Sequence, residues 1–134
     1  MKDSNNILIV DDEESIRFSL SKYLKDSGFM PYTARSPIEA RSLVQTHGFA
    51  VAIVDRILAG GENGVELLRQ LKEKQPFCQR VLISGYPSFE SAAEAISIKV
   101  FSYLAKPVRK DQILPVVEQA VDQYRNRLAA SLKG

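Results

Sequence analysis

The sequence predicts an α/β domain in which helices cover both faces of a five-stranded parallel sheet. Three observations carry this. Five short apolar runs alternate with five longer segments whose apolar residues recur at helical spacing, the pattern of strand-to-strand crossovers through helices. The third run, Phe49–Val54, is unbroken and rich in β-branched residues, as in a strand buried on both sides. The first, third and fourth runs are closed by the polar residues Asp11, Asp55 and Ser84, and the crossovers between strands are expected to be right-handed.

Each element has its own warrant. Ile7–Val10 is a strand ended by Asp11 and Asp12, and from Glu13 the residues Ile16, Leu20, Tyr23 and Leu24 share one helical face that Gly28 terminates. Phe29–Ala34 is a weaker strand. Ser36-Pro37-Ile38-Glu39 reads as a capping box with proline in the first helical position, opening a helix that runs to about His47-Gly48. After Phe49–Val54 and Asp55, a loop with Gly60, Gly61 and Gly64 leads to a helix carrying Val65, Leu68 and Leu71 on one face, with Pro76 beyond its end. Val81-Leu82-Ile83 marks the fourth strand, within Arg80–Ser84, and Ser88 caps a helix through roughly Ile98. Val100–Leu104 is the fifth strand. The last helix carries Ile113, Val116, Val117, Ala120, Val121 and Tyr124. Pro115 near its start means that the helix begins late or gives up one hydrogen bond.

Composition bounds the function. The chain has 134 residues, 45% of them hydrophobic and 25% charged, with a formal net charge of +2, so no strong field points to nucleic acid or an anionic membrane. No apolar run approaches the ~20 residues of a membrane span, and Asp3 and the early Asp11 do not fit a signal peptide. The single cysteine, Cys78, excludes an internal disulfide and a zinc cluster. The lone His47 leaves no Ser-His-Asp or Cys-His arrangement to assemble; a helix-end position near the negative dipole suits it. Cys78 is a passive thiol, and Gly60, Gly61 and Gly64 lack the spacing of phosphate-binding loops. Arg109, Lys110, Arg125, Arg127 and Lys133 are scattered and without stacking aromatics, so direct nucleic-acid binding is not expected. A cytoplasmic globular domain remains.

Polar residues at the strand ends are the informative feature. Asp11 and Asp12 follow the first strand, Asp55 the third, Ser84 the fourth, and Lys106 lies just past the fifth. In an open parallel sheet these ends share one edge, where ligands bind beside a topological switch. Three carboxylates brought together repel, and either take up protons or bind a cation. An all-oxygen set without a dedicated cage suits Mg²⁺, which commonly takes a phosphate oxygen as a further ligand. Lys106 and Ser84 would then hold the other phosphoryl oxygens. A carboxylate beside the metal can act as nucleophile and form an aspartyl phosphate, and Asp55, alone at the end of the most buried strand, is the candidate.

In this set the chain resembles the receiver domain of two-component response regulators, over about residues 5–125. The matching residues are Ile7-Leu8-Ile9-Val10 before Asp11-Asp12-Glu13, then Ala52-Ile53-Val54-Asp55, Val81-Leu82-Ile83-Ser84-Gly85 and Tyr103-Leu104-Ala105-Lys106-Pro107. The resemblance implies a flavodoxin-like sheet in the order 2-1-3-4-5, with residues 1–127 as the receiver and 128–134 as a tail or the start of a linker. It implies that Asp55 accepts a phosphoryl group from a histidine kinase or phosphotransfer protein. Asp12, Asp55 and the backbone carbonyl of Arg56 would ligate Mg²⁺, with Asp11 acting mainly through water. Ser84 and Lys106 would contact the phosphoryl group, Tyr103 would be the rotating switch residue, and the Lys106–Pro107 bond would be cis. Ile57 and Tyr86, two residues past Asp55 and Ser84, would flank the phosphoryl group and govern its lifetime. Residues 84–107 look most like receivers attached to sigma-54-dependent activators, a style that hybrid kinases share.

Three departures from the family pattern stand out. Ala59 occupies the place of a usual proline, the glycine opening the third helix comes one residue late at Gly64, and Lys99-Val100 replaces a frequent Gly-Ala before the fifth strand. The reading is a phosphorylation-controlled switch whose fourth helix, fifth strand and fifth helix face a partner or an output domain. The chain would be monomeric or dimerise on phosphorylation, and would be a stand-alone regulator or part of a longer chain. The alternative is a Mg²⁺-dependent aspartyl-phosphate phosphatase or phosphotransferase, but that class needs a second aspartate where this chain has Ile57.

Overall fold

The computed structural model describes residues 5–133; residues 1–4, which carry part of the signal-peptide argument, and Gly134 lie outside the described residues. The elements follow in the order β1 (Asn6–Val10), α1 (Glu14–Asp26), β2 (Met30–Ala34), α2 (Pro37–Thr46), β3 (Val51–Asp55), α3 (Gly64–Lys74), β4 (Gln79–Ser84), α4 (Phe89–Ser97), β5 (Ser102–Ala105) and α5 (Lys110–Lys133). A single 3-10 turn at Ala59–Gly61 interrupts the loop before α3. The strands pair in the order β2-β1-β3-β4-β5, all parallel.

Alternation along each strand sends side chains to opposite faces and splits the apolar residues into two layers. Ile7, Ile9, Val51, Ile53, Val81 and Ile83 pack under α1 and α5 with Leu20, Leu24, Ile113 and Val117. Leu8, Val10, Ala52, Val54 and Leu82 pack under α2, α3 and α4 with Ala40, Leu68 and Leu71. Because β1 lies between β2 and β3, the crossovers leave it in opposite directions and open a crevice beyond its carboxyl end.

Local chemistry sets the helix ends. Ser36 Oγ accepts from the Glu39 amide at 3.3 Å, but the Glu39 carboxylate turns to the Arg35 amide and guanidinium. The expected capping box is therefore half formed. A complete one occurs in α4, where Ser88 and Ser91 each accept from the other's backbone N–H. Pro115 lies inside α5, which starts at Lys110; of the two options, the helix gives up one hydrogen bond. Residues 128–133, expected as a tail or linker start, continue α5 as helix. Leu128-Ala129-Ala130 favours helix and no glycine intervenes before Gly134, while Leu128 still packs against the core.

Two residues before β5 were not foreseen in their roles. Arg80 is buried, and its guanidinium donates to the carbonyls of Leu68, Ile98 and Lys99, tying the end of α4 to α3 and β4. Lys99, at a frequent glycine position of the family, has φ +54°, a left-handed conformation that costs an L-residue about 1–2 kcal/mol. Lys99→Gly is expected to raise unfolding free energy by up to about 1 kcal/mol, the relief exceeding the added freedom of glycine in the unfolded chain. Urea denaturation of the two chains measures this, and a lower midpoint for the glycine variant would contradict it.

Candidate functional site

Strand geometry delivers the expected side chains to one edge. Asp11 directly follows β1, Asp55 and Ser84 are the last residues of β3 and β4, and Lys106 directly follows β5. Asp11, Asp55 and Ser84 are buried, whereas Asp12 is exposed. Asp11, Asp12 and Asp55 each offer a carboxylate oxygen within 4.8 Å of the others. Lys106 Nζ stands 2.8 Å from Asp55 Oδ2, 2.9 Å from Asp11 Oδ2 and 3.1 Å from Glu13 Oε1. Glu13 was noted in sequence only as a neighbour of the acidic pair. Its approach to Lys106 needs the β1–α1 loop to curl over the sheet edge, where the Glu13 amide donates to Asp11 Oδ1 at 2.9 Å.

Charge and burial pull against each other here. Burial is the largest influence on Asp11 and pushes its carboxyl above the ordinary 3.8; the charge of Asp55 adds to this, while the Glu13 amide and Lys106 offset part of it. Burial alone would lower Lys106, but its contacts with Asp55 and Asp11 outweigh that and hold the ammonium above its ordinary value. Asp11 Oδ2 lies 2.9 Å from Lys106 Nζ, the cation that partners it. A buried carboxylate with two further carboxylates beside it, and one ammonium among them, is an oxygen donor set that a hard cation fits.

The backbone around Asp55 corrects one expectation. The Arg56 carbonyl, expected as a metal ligand, accepts from the Gly64 amide at 2.8 Å, facing α3. Ile57 and Asn63 form an isolated antiparallel bridge, and the Ile57 amide donates to Asp55 Oδ1 at 3.3 Å. In an extended residue N–H and C=O project to the same side, so the carbonyl turned toward the carboxylates is that of Ile57. The direction of these carbonyls has no signal in sequence because it depends on this bridge. Gly64 is required in its place, since an added Cβ would lie 1.9 Å from the Asp55 carbonyl oxygen.

The remaining expected residues line or flank one crevice of about 700 Å³, whose walls include Asp12, Asp55, Ile57, Ser84, Tyr86 and Lys106. Ser84 Oγ accepts from the Tyr86 amide at 3.1 Å. Ile57 and Tyr86 are exposed at its rim, 51% and 81% respectively, so neither is committed to the core. The Lys106–Pro107 bond is cis. Tyr103 is half-buried against the layer beneath α4, and its hydroxyl meets Ser91 Oγ at 2.5 Å. Ser91 was missed in sequence; its spacing of three from the cap Ser88 was the available signal. Away from the crevice, Cys78 is buried with its thiol pushed up to about 12, which makes it inert. His47 caps α2 and packs on Tyr32, with ring centroids 4.6 Å apart.

The raised carboxyl of Asp11 has a measurable sign. Between 3.8 and its higher folded value the native chain holds the proton more tightly than the unfolded chain, so stability falls as pH rises through that window. Asp11→Asn is therefore expected to stabilise the chelator-treated protein near pH ~7.5, with the gain shrinking as pH drops toward about 4. Thermal melts across that range check this; a gain that grew on acidification would refute it.

Comparison with known proteins agrees with this geometry. The family model for the response regulator receiver domain matches residues 7–118. A putative response regulator NtrX-like of Rickettsia felis is 33% identical over 118 residues, covering 87% of this chain and 25% of that protein. The chain thus spans about a quarter of the length of the curated relatives first matched. Among solved structures, a beryllofluoride-activated NtrC4 receiver domain dimer superposes with TM-score 0.83 at 32% identity, covering 90% of this chain and 98% of that one. A response regulator from Burkholderia pseudomallei, with a phosphorylated aspartic acid, calcium ion and citrate, superposes with TM-score 0.79 at 28% identity over 95% and 74% of the two chains. Among the described residues no helix is long and apolar enough to cross a membrane. The chain belongs to the response regulator receiver domain family, and it is a phosphorylation-controlled signalling domain rather than a metabolic enzyme.

Proposed function

We propose that Asp55 is the phosphoacceptor and that residues 1–127 are the receiver unit, with the end of α5 leading away from it. The observation that carries this is the convergence of three carboxylates and the Lys106 ammonium on one crevice. The donor partner is the phosphohistidine of a histidine kinase or phosphotransfer protein in the cytoplasm. An Asp55 carboxylate oxygen attacks phosphorus as the P–N bond breaks, and the leaving imidazole nitrogen takes a proton. Lys106 and Ser84 hold the phosphoryl oxygens.

Mg²⁺ fits the oxygen donors of Asp11, Asp12, Asp55 and the Ile57 carbonyl, and when bound it offsets the negative charge that builds on the phosphoryl oxygens. Asp11, buried and already close to Lys106, acts mainly through water, as the family resemblance implies. The face of α4, β5 and α5 changes on phosphorylation and is read by a partner, an output domain in a longer chain, or a second copy. Incubation with acetyl phosphate and Mg²⁺ is expected to add one acid-labile phosphate, lost in Asp55→Asn and slowed in Asp12→Ala. Mass spectrometry of the intact chain checks this, and undiminished labelling of the asparagine variant would refute the assignment.

Ile57 and Tyr86 flank the crevice with side chains that carry neither carboxylate nor amide. They obstruct the water that must align with phosphorus and so lengthen the life of the acyl phosphate. Ile57→Asn with Tyr86→Glu is expected to speed loss of phosphate after the donor is removed. An unchanged or slower decay would exclude this shielding.

A further inference from the structure

The helix that must respond to Asp55 is the one least secured by apolar packing. Between Phe89 and Ser97, α4 buries only Ser91 and Ala95, both small, whereas α3 buries Val65, Leu67, Leu68 and Leu71. Phe89 and Ile96 stand exposed at 98% and 76%. What secures α4 is polar and sits at residues 91 and 94, which share one helical face. Ser91 Oγ meets the Tyr103 hydroxyl on β5. Glu94 Oε1 takes two N–H groups of Arg56, Nε at 3.0 Å and Nη2 at 2.5 Å, with both side chains under one-third exposed.

Arg56 adjoins Asp55 in the chain, and its backbone is held at both ends. Its amide donates to the Ile83 carbonyl and its carbonyl accepts from the Gly64 amide, each at 2.8 Å. The guanidinium is thus anchored to the sheet edge, while its partner rides on a helix whose two buried residues, Ser91 and Ala95, are both small. We infer that the Arg56–Glu94 ion pair is a tether that positions α4 in the unphosphorylated arrangement and opposes the switch. The inference rests on Asp55 being the phosphoacceptor. In the present arrangement the Asp55 carboxylate is engaged by Lys106 at 2.8 Å, and it is this arrangement that the tether favours. A contact between a fixed residue and a helix that moves is made in one state and lost in the other, so it weights the equilibrium toward the first. Arg56 and Glu94 are positioning residues in this scheme; neither contacts the phosphoryl group.

The test is equilibrium binding of beryllium fluoride with Mg²⁺, a phosphoryl mimic, to the chain and four variants. Glu94→Gln and Arg56→Gln are each expected to tighten binding about two- to fivefold, the range a partly exposed ion pair carries. They should also speed hydrogen exchange of the amides of residues 92–98 in the free protein. Arg56→Gln is the decisive variant, because removing a positive charge near the site would by simple electrostatics weaken anion binding. The exchanged pair, Arg56→Glu with Glu94→Arg, is expected to restore wild-type affinity and protection. Weaker or unchanged binding by Arg56→Gln would overturn the tether, as would failure of the exchanged pair to move affinity back toward wild type. No binding by the wild-type chain, or full binding by Asp55→Asn, would instead overturn the reading of Asp55 and the tether with it.

Discussion

Two carboxylates that burial and mutual repulsion disfavour, Asp11 and Asp55, are held beside one another at the crevice beyond β1 and β3. Lys106 is the cation that makes this tolerable, within 2.9 Å of an oxygen on each. Burying ionised groups is costly unless they are paired, so the carboxyl ends of β1, β3 and β5 are bound electrostatically into one unit. The sheet order places those ends close together, the apolar layers on both faces keep the strands in register, and Gly64 lets α3 begin against the Asp55 carbonyl. The arrangement is also incomplete, because one ammonium does not neutralise three carboxylates. A site with surplus negative charge favours a cation.

From this centre the molecule divides into held and loosely held parts. The apolar side chains of α1, α3 and α5 are sunk deeply on either face of the sheet. Arg80, donating to three carbonyls from within the core, pins the carboxyl end of α4. The rest of α4 depends on a capping box and on polar links to Tyr103 and Arg56. An element secured in this way is closer in free energy to alternative positions than one secured by buried leucines. The exposed Phe89 and Ile96 give that helix an apolar surface.

The exposed rim of the crevice separates two tasks. Buried groups, Asp11, Asp55 and Ser84, are set by the strands and have little freedom. Ile57 and Tyr86 sit on loops at the rim, with half or more of their surface open to solvent.

Much of this was legible in the sequence because it follows from periodicity and position. Unbroken apolar runs identify strands buried on both faces, and residues that close such runs in a parallel sheet share an edge; Asp11, Asp12, Asp55, Ser84 and Lys106 were found on that basis. The extent of α5 was underestimated because its last residues pack weakly, leaving helix propensity rather than apolar spacing as the signal. Other features were decided only by tertiary structure. The choice between the carbonyls of Arg56 and Ile57 hangs on an antiparallel bridge to Asn63, 6 residues ahead in the sequence. Contacts such as Arg56–Glu94, Ser91–Tyr103 and Lys106–Glu13 join residues 12 to 93 positions apart. Strand period and helix caps are properties of neighbouring residues and are written locally, whereas the direction of a carbonyl or the partner of a half-buried ion is set by which surfaces the crossovers bring together.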